Sequence, residues 1–136
     1  MRDTLIGMHS RHVSTVIRRS PQDVYAYASD PGNLPAWAAG LTDAPISRDG
    51  DALVTESPMG RVRMVFAPRN EFGVLDHWVT LPSGDTTYNA LRVIEHPDGA
   101  EVIFTLRQLD ATDDEFERDA GLVAADLERL RAILEA

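Results

Sequence analysis

"TDDEFERDAGLVAADLERLRAILEA", residues 112–136, opens with a helix start and then keeps one apolar beat to its end. Thr112 stands three residues before Glu115, so its hydroxyl can take the Glu115 amide while the carboxylate returns to the Thr112 amide. Beyond that box, Phe116, Ala120, Val123, Leu127, Leu130 and Leu134 recur at intervals of 4, 3, 4, 3 and 4, which puts all six on one stripe of a helix. The spacing predicts about 24 residues of helix, ~35 Å long. Its acidic start and the arginines at 129 and 131 suit the helix dipole. A helix of that length with one apolar face needs a broad apolar surface to lie on.

The residues upstream supply that surface. From Asp43 the chain runs through "ISRDGDALVTE" (46–56), "SPMGRVRMVFAPRNEFG" (57–73), "LPSGDTT" (81–87) and "EHPDGAEV" (95–102). Each sets Gly or Pro beside Asp, Asn or Ser, the residues that make tight turns, so five or six antiparallel strands joined by hairpins are expected. Earlier, "HVSTVIRR" (12–19) alternates Val13, Thr15 and Ile17 with Ser14, Val16 and Arg18, and reads as a strand. "SPQDVYAYASD" (20–30) then predicts a helix of about two turns, with Ser20 as cap, Pro21 in the first turn and Asp23 at the positive end of the dipole. Asp30-Pro31-Gly32 stops it, and a second short turn is expected from Leu34 to Ala39, closed by Gly40. Residues 1–8 show no period and are expected to be a loose lead-in to a single domain spanning 9–136. The order is α+β, with one sheet facing one long helix.

Composition narrows the partners. The formal charge of -9 disfavours nucleic acid and anionic membrane surfaces. All thirteen basic residues are arginine, which excludes Schiff-base chemistry and a Walker-type loop, and the absence of cysteine excludes thiolate catalysis and disulfides. Neither a signal-peptide pattern nor a bilayer-spanning apolar run is present, so a cytoplasmic location without membrane insertion is expected. His9 and His12 point to opposite faces of their strand, His77 and His96 have no partner at metal-binding spacing, and neither G-x-S-x-G nor G-x-G-x-x-G occurs. No metal and no cofactor are expected.

The strand, then "SPQDVYAYASDPGNLPAW" (20–37), the hairpins and the closing "LERLRAILE" (127–135) resemble the START-related SRPBCC, or Bet v 1-like, superfamily, in the branch of polyketide cyclase/dehydrase-type proteins. Ser20, Pro21, Val24, Tyr25, Asp30, Pro35, Trp37, Leu127 and Leu130 occupy the places of the family's motifs, and the likeness covers residues 9–135. It implies a helix-grip: a curved seven-stranded antiparallel sheet wrapped around the long C-terminal helix, two short helices after strand 1, and a cavity between sheet and helix. Trp37, in a segment full of Pro and Gly, is then expected as the apolar anchor at the lip of that cavity.

Hairpin pairing assigns side chains to faces. With a two-residue turn at Ser83-Gly84, Trp78 pairs with Asn89, Asp76 with Leu91 and Thr80 with Thr87. With a turn at Asp98-Gly99, Val93 pairs with Phe104 and Leu91 with Leu106. The helix-facing side then carries Leu91, Val93, Val102, Phe104 and Leu106, together with Asp76, Trp78, Thr87 and Asn89. The earlier hairpin continues it with Leu53, Thr55, Val62, Met64 and Phe66, leaving Glu56, Arg61 and Arg63 outside. A mostly apolar wall bearing a few polar groups suits a small-molecule pocket. The expected ligand contacts are Met64, Phe66, Trp78, Thr87, Asn89, Leu91 and Phe104, with Val123 and Leu127 from the helix. Asp76 on an apolar face would have a raised pKa and serve as general acid or base, while His77, Tyr88 and Arg92 fall on the outer side. Gly121 inside the long helix is expected to mark close packing or room for a ligand.

Three functions fit these residues. The first is binding of a small hydrophobic, lipid-like or aromatic molecule between sheet and helix. The second is a cyclase or dehydratase acting on a polyketide-like substrate through Asp76, with Asn89 or Tyr88 positioning a carbonyl. The third is a partner-binding protein on the same fold. The oligomeric state is open.

Overall fold

The computed structural model describes residues 9–38, 44–58 and 60–136. Strand β1 (Ser10–Ile17) leads into α1 (Pro21–Ala28), a tight turn at Pro31–Asn33 and α2 (Leu34–Trp37). Strands β2 (Ser47–Asp49), β3 (Ala52–Ser57), β4 (Gly60–Phe66), β5 (His77–Thr80), β6 (Thr86–His96) and β7 (Gly99–Arg107) follow, and α3 (Asp113–Glu135) ends the chain. The seven strands form one antiparallel sheet in the order β1-β7-β6-β5-β4-β3-β2. From β2 to β7 each strand pairs with the next, and β1 returns to the far edge, with Ile17 opposite Ala100.

Local chemistry sets the ends of the helices. Ser20 Oγ accepts the Asp23 amide at 3.1 Å, and the Asp30 carboxylate accepts the Gly32 amide at 3.0 Å, so α1 starts and the following turn begins where side-chain oxygens replace missing helical acceptors. At α3 both halves of the capping box form: Thr112 Oγ1 accepts from Glu115 N at 3.1 Å, and Thr112 N donates to Glu115 Oε1 at 2.8 Å. At its other end, Arg19 donates from Nη1 to the Leu134 carbonyl at 2.8 Å, satisfying one of the terminal acceptors. The expected lead-in 1–8 and the closing Ala39 and Gly40 lie outside the described residues.

The stripe of α3 meets the sheet. Phe116, Ala120, Leu127, Leu130 and Leu134 are buried, while Val123 in the middle is half-buried. Leu127, Leu130 and Leu134 share one core with Ile17 of β1, Val24 of α1, Val62 and Met64 of β4, Leu91 and Val93 of β6, and Val102 of β7. Leu53, Thr55, Val62 and Met64 all face inward, and Glu56, Arg61 and Arg63 lie exposed outside.

Gly121 departs from expectation. It lies on the exposed side of α3, and a Cβ there would meet nothing within 4 Å, so neither close packing nor a ligand accounts for it. Gly121→Ala is expected to stabilise the protein by about 0.5–1 kcal/mol, because alanine loses less backbone entropy in a helix. A urea midpoint that fell instead of rising would contradict this.

Candidate functional site

Between the inner face of the sheet, α2 and the middle of α3 lies a cavity of about 240 Å³. The sheet contributes Phe66, His77, Val79, Asn89, Leu91, Phe104 and Leu106; α2 and its end contribute Leu34, Trp37 and Ala38; α3 contributes Leu122, Val123 and Leu127. Exposed Asp119 and Leu122 rim the mouth. The space lies beneath Val123, the stripe member that α3 leaves half-buried, and two of the groups facing it, Ala38 and Val123, are too small to fill it. Trp37 is 4 % exposed and closes one wall, and its backbone carbonyl accepts from Arg129 Nε at 3.4 Å, which ties α2 to α3. Arg129 also pairs with Asp126. The Trp37 Nε1–H is sealed in with no acceptor among the described residues.

His77 is the chemically distinctive wall residue. Its ring stacks on Phe66 with centroids 4.5 Å apart and meets Phe104 edge-on at 6.1 Å. Nδ1 lies 2.9 Å from the Leu75 carbonyl oxygen, and because that oxygen can only accept, Nδ1 carries the proton and neutral His77 presents a bare lone pair on Nε2. Burial lowers the pKa; the bond to Leu75 and the nearby charge of Asp76 oppose this without prevailing, so the ring is neutral at pH 7. Nε2 has no partner among the described residues and, unlike Trp37 Nε1, is not sealed off; the cavity is what it meets. Directly across the β5–β6 ladder stands Asn89, on the same face and about 5 Å away at Cβ. Its carboxamide also has no partner among the described residues, so a donor and an acceptor from Asn89 adjoin the lone pair of His77.

Asp76 turns the other way. It is 3 % exposed, yet its carboxylate accepts from Leu91 N at 2.9 Å, from Arg92 Nε at 3.1 Å and Nη2 at 2.6 Å, and from the Tyr88 hydroxyl, all on the outer face. Burial by itself raises its pKa, but the bonds from Arg92, Tyr88 and Leu91 outweigh that and lower it from 3.8 to about 2. The same bond to Asp76 raises the pKa of Tyr88. The ladder explains the arrangement. Leu75 N donates to Leu91 O at 2.8 Å, but the Leu75 carbonyl is given to His77 Nδ1, and the Leu91 amide it would otherwise take is satisfied by Asp76. Upstream, Asn70 holds the 67–76 loop with bonds from the Phe72 and Val74 amides to Oδ1 and from Nδ2 to the Pro68 and Val74 carbonyls.

The structure therefore regroups the expected site residues. Phe66, Asn89, Leu91, Phe104, Val123, Leu127 and Trp37 line one cavity. Trp78 does not: it is 49 % exposed on the outer face, edge-on to Tyr88 at 4.9 Å, because β5 pairs His77 with Asn89 and Trp78 with Tyr88. The loop between β5 and β6 runs over residues 81–85 in place of a two-residue turn at Ser83-Gly84, and that change of one in register exchanges the two faces. The expected Asp76 acid on the inner face is corrected for the same reason; it is an ionised outer-face carboxylate. Met64 faces inward but is packed solid, and Thr87, opposite Val79, stops short of the cavity. His77, expected outside, is the residue that pairing missed. Plain alternation marks it: Leu75, Val79 and Leu81 share its parity, while Asp76, Trp78 and Thr80 share the other.

A larger groove of about 740 Å³ lies beyond Leu34 and Phe66, which line both spaces, and its lining is far more polar, carrying Arg48, Asp51, Asp30 and Arg69. Among the described residues no three His, Asp or Glu side chains gather as metal ligands, and no helix is long and apolar enough to cross a membrane.

No known family model matches the sequence, and no curated protein matches it. Solved structures do. The dimeric Aha1 of Colwellia psychrerythraea superposes with a TM-score of 0.76 at 18% identity, over 94% of this chain and 97% of that one. DynU16, a protein from the dynemicin biosynthetic locus, gives 0.74 at 11% identity, over 93% of this chain but 47% of its own length. Ara h 8.0201 gives 0.64 at 9% identity, over 94% and 98%. At such identities the likeness is one of architecture, and the architecture is the Bet v 1-like helix-grip fold.

Proposed function

We propose that this chain binds one small, neutral hydrophobic molecule in the cavity beneath Trp37 and Val123. The observation that carries the proposal is an unfilled space walled by Phe66, Leu91, Phe104, Leu106 and Leu127 in an otherwise close-packed core. Its volume decides the size of guest. An apolar cavity of ~150 Å³ accepts a benzene ring and drug-sized sites begin near ~300 Å³. About 240 Å³ suits one substituted ring or a short acyl chain within the walls, and a longer guest would project through the mouth. The cyclase reading has lost its acid, because Asp76 is held ionised on the far face.

The test is a methyl NMR titration with p-xylene. Saturable shifts confined to Leu91, Leu106, Val123 and Leu127 are expected. Shifts that never saturate, or that centre on Val65 and Ile94 of the outer face, would reject the cavity as the binding site.

A further inference from the structure

Building on that cavity, we infer that its guest is a small hydroxyaromatic, whose hydroxyl donates to His77 Nε2 and accepts from the Asn89 carboxamide. Three observations converge on this chemistry. The Leu75 carbonyl fixes the proton on Nδ1, so Nε2 can accept and, in the neutral ring, cannot donate. Asn89 stands across the ladder on the same face and supplies the donor that a hydroxyl oxygen needs. Phe66, Phe104 and Trp37 surround this pair with ring surface, which favours an aromatic body through edge and stacking contacts.

Charge removes the competing class. Asp119 at the mouth has no cationic partner among the described residues, Arg129 is already engaged by Asp126 and the Trp37 carbonyl, and the whole chain carries -9. An aromatic carboxylate would meet repulsion on entry and a bare lone pair inside. A neutral hydroxyl satisfies both polar wall groups, whereas a hydrocarbon leaves them without water or partner.

The matched probes are p-cresol and p-xylene, which differ by one hydroxyl in place of a methyl group. In an apolar hole the hydroxyl is a penalty, so p-xylene would win. In this protein p-cresol is expected to bind at least as tightly. His77→Phe and Asn89→Leu are each expected to shift the ratio of dissociation constants about tenfold toward p-xylene, the effect of roughly one lost hydrogen bond. In the wild-type protein the ¹⁵N resonance of His77 Nε2 is expected to move upfield on adding p-cresol and to hold still with p-xylene, a readout that needs no variant to fold. If p-xylene saturates the cavity while p-cresol binds more weakly and leaves Nε2 unmoved, the hydroxyl inference is wrong and hydrophobic binding stands. If neither probe binds, the cavity reading falls with it.

Discussion

Asp76→Ala is expected to lower stability by about 3 kcal/mol, or roughly 10 °C in melting temperature for a chain of this size. The change orphans the Leu91 amide inside the sheet and releases Arg92 and the Tyr88 hydroxyl together. Arg92 is half exposed and recovers water, which keeps the cost below that of a fully buried broken pair. Asp76→Asn keeps an oxygen for Leu91 and should lose about half as much. The pH dependence has a definite sign. Asp76 has a folded pKa near 2 against 3.8 unfolded, so its contribution is complete above about 3.8 and fades as the pH falls toward 2. His77 acts earlier: its folded pKa is depressed, so once the pH drops below 6.5 the unfolded chain takes a proton that the folded chain refuses, and stability declines. Denaturation curves from pH 7 to 2 should show both limbs, with the lower one weakened in Asp76→Ala and the remainder left to Glu115 and Glu128, whose carboxyls Thr112 and Arg131 hold below the usual range. An alanine variant within 1 kcal/mol of wild type would refute the role given to the carboxylate.

Val123→Trp should cost p-xylene at least ~100-fold in affinity, about 2.8 kcal/mol, which is the order of what burying one such ring provides. Val123 faces the cavity from a helix, so the indole has an empty volume and an open mouth to enter. Little overpacking follows, and the stability change should stay below about 1.5 kcal/mol. Calorimetric titration beside a thermal melt separates the two effects. Unchanged p-xylene binding by a folded Val123→Trp protein would place the ligand elsewhere.

The framework was legible because its signals are redundant. In α3 the capping box, the six-residue stripe and the acidic first turn all agree, and each appears in the structure. The site was less legible because it depends on parity. Between β6 and β7 the assumed turn at Asp98-Gly99 was out of place; the strands turn on Pro97-Asp98, and Leu91 pairs with Phe104 and Val93 with Val102. That slip kept every side chain on its own face, so Leu91 and Phe104 stayed with the cavity. Between β5 and β6 the slip was odd, and His77 and Trp78 changed places. A loop of five residues in place of two is a choice of backbone dihedrals that Leu81 to Asp85 do not announce. The apolar parity of Leu75, Val79 and Leu81 is the better guide, and the turn taken at Ser83-Gly84 overrides it and carries Trp78 inward.

Where the Leu75 carbonyl abandons its strand partner for an imidazole, the two sides of the sheet cease to be insulated from one another. Outside, the Asp76 carboxylate that holds Arg92 and the Tyr88 phenol takes the Leu91 amide; inside, the Leu75 carbonyl left free by that exchange holds the Nδ1 proton of His77. One opened rung of the ladder thus serves an ion pair on one side and a bare ring nitrogen on the other, a single sheet thickness of backbone apart.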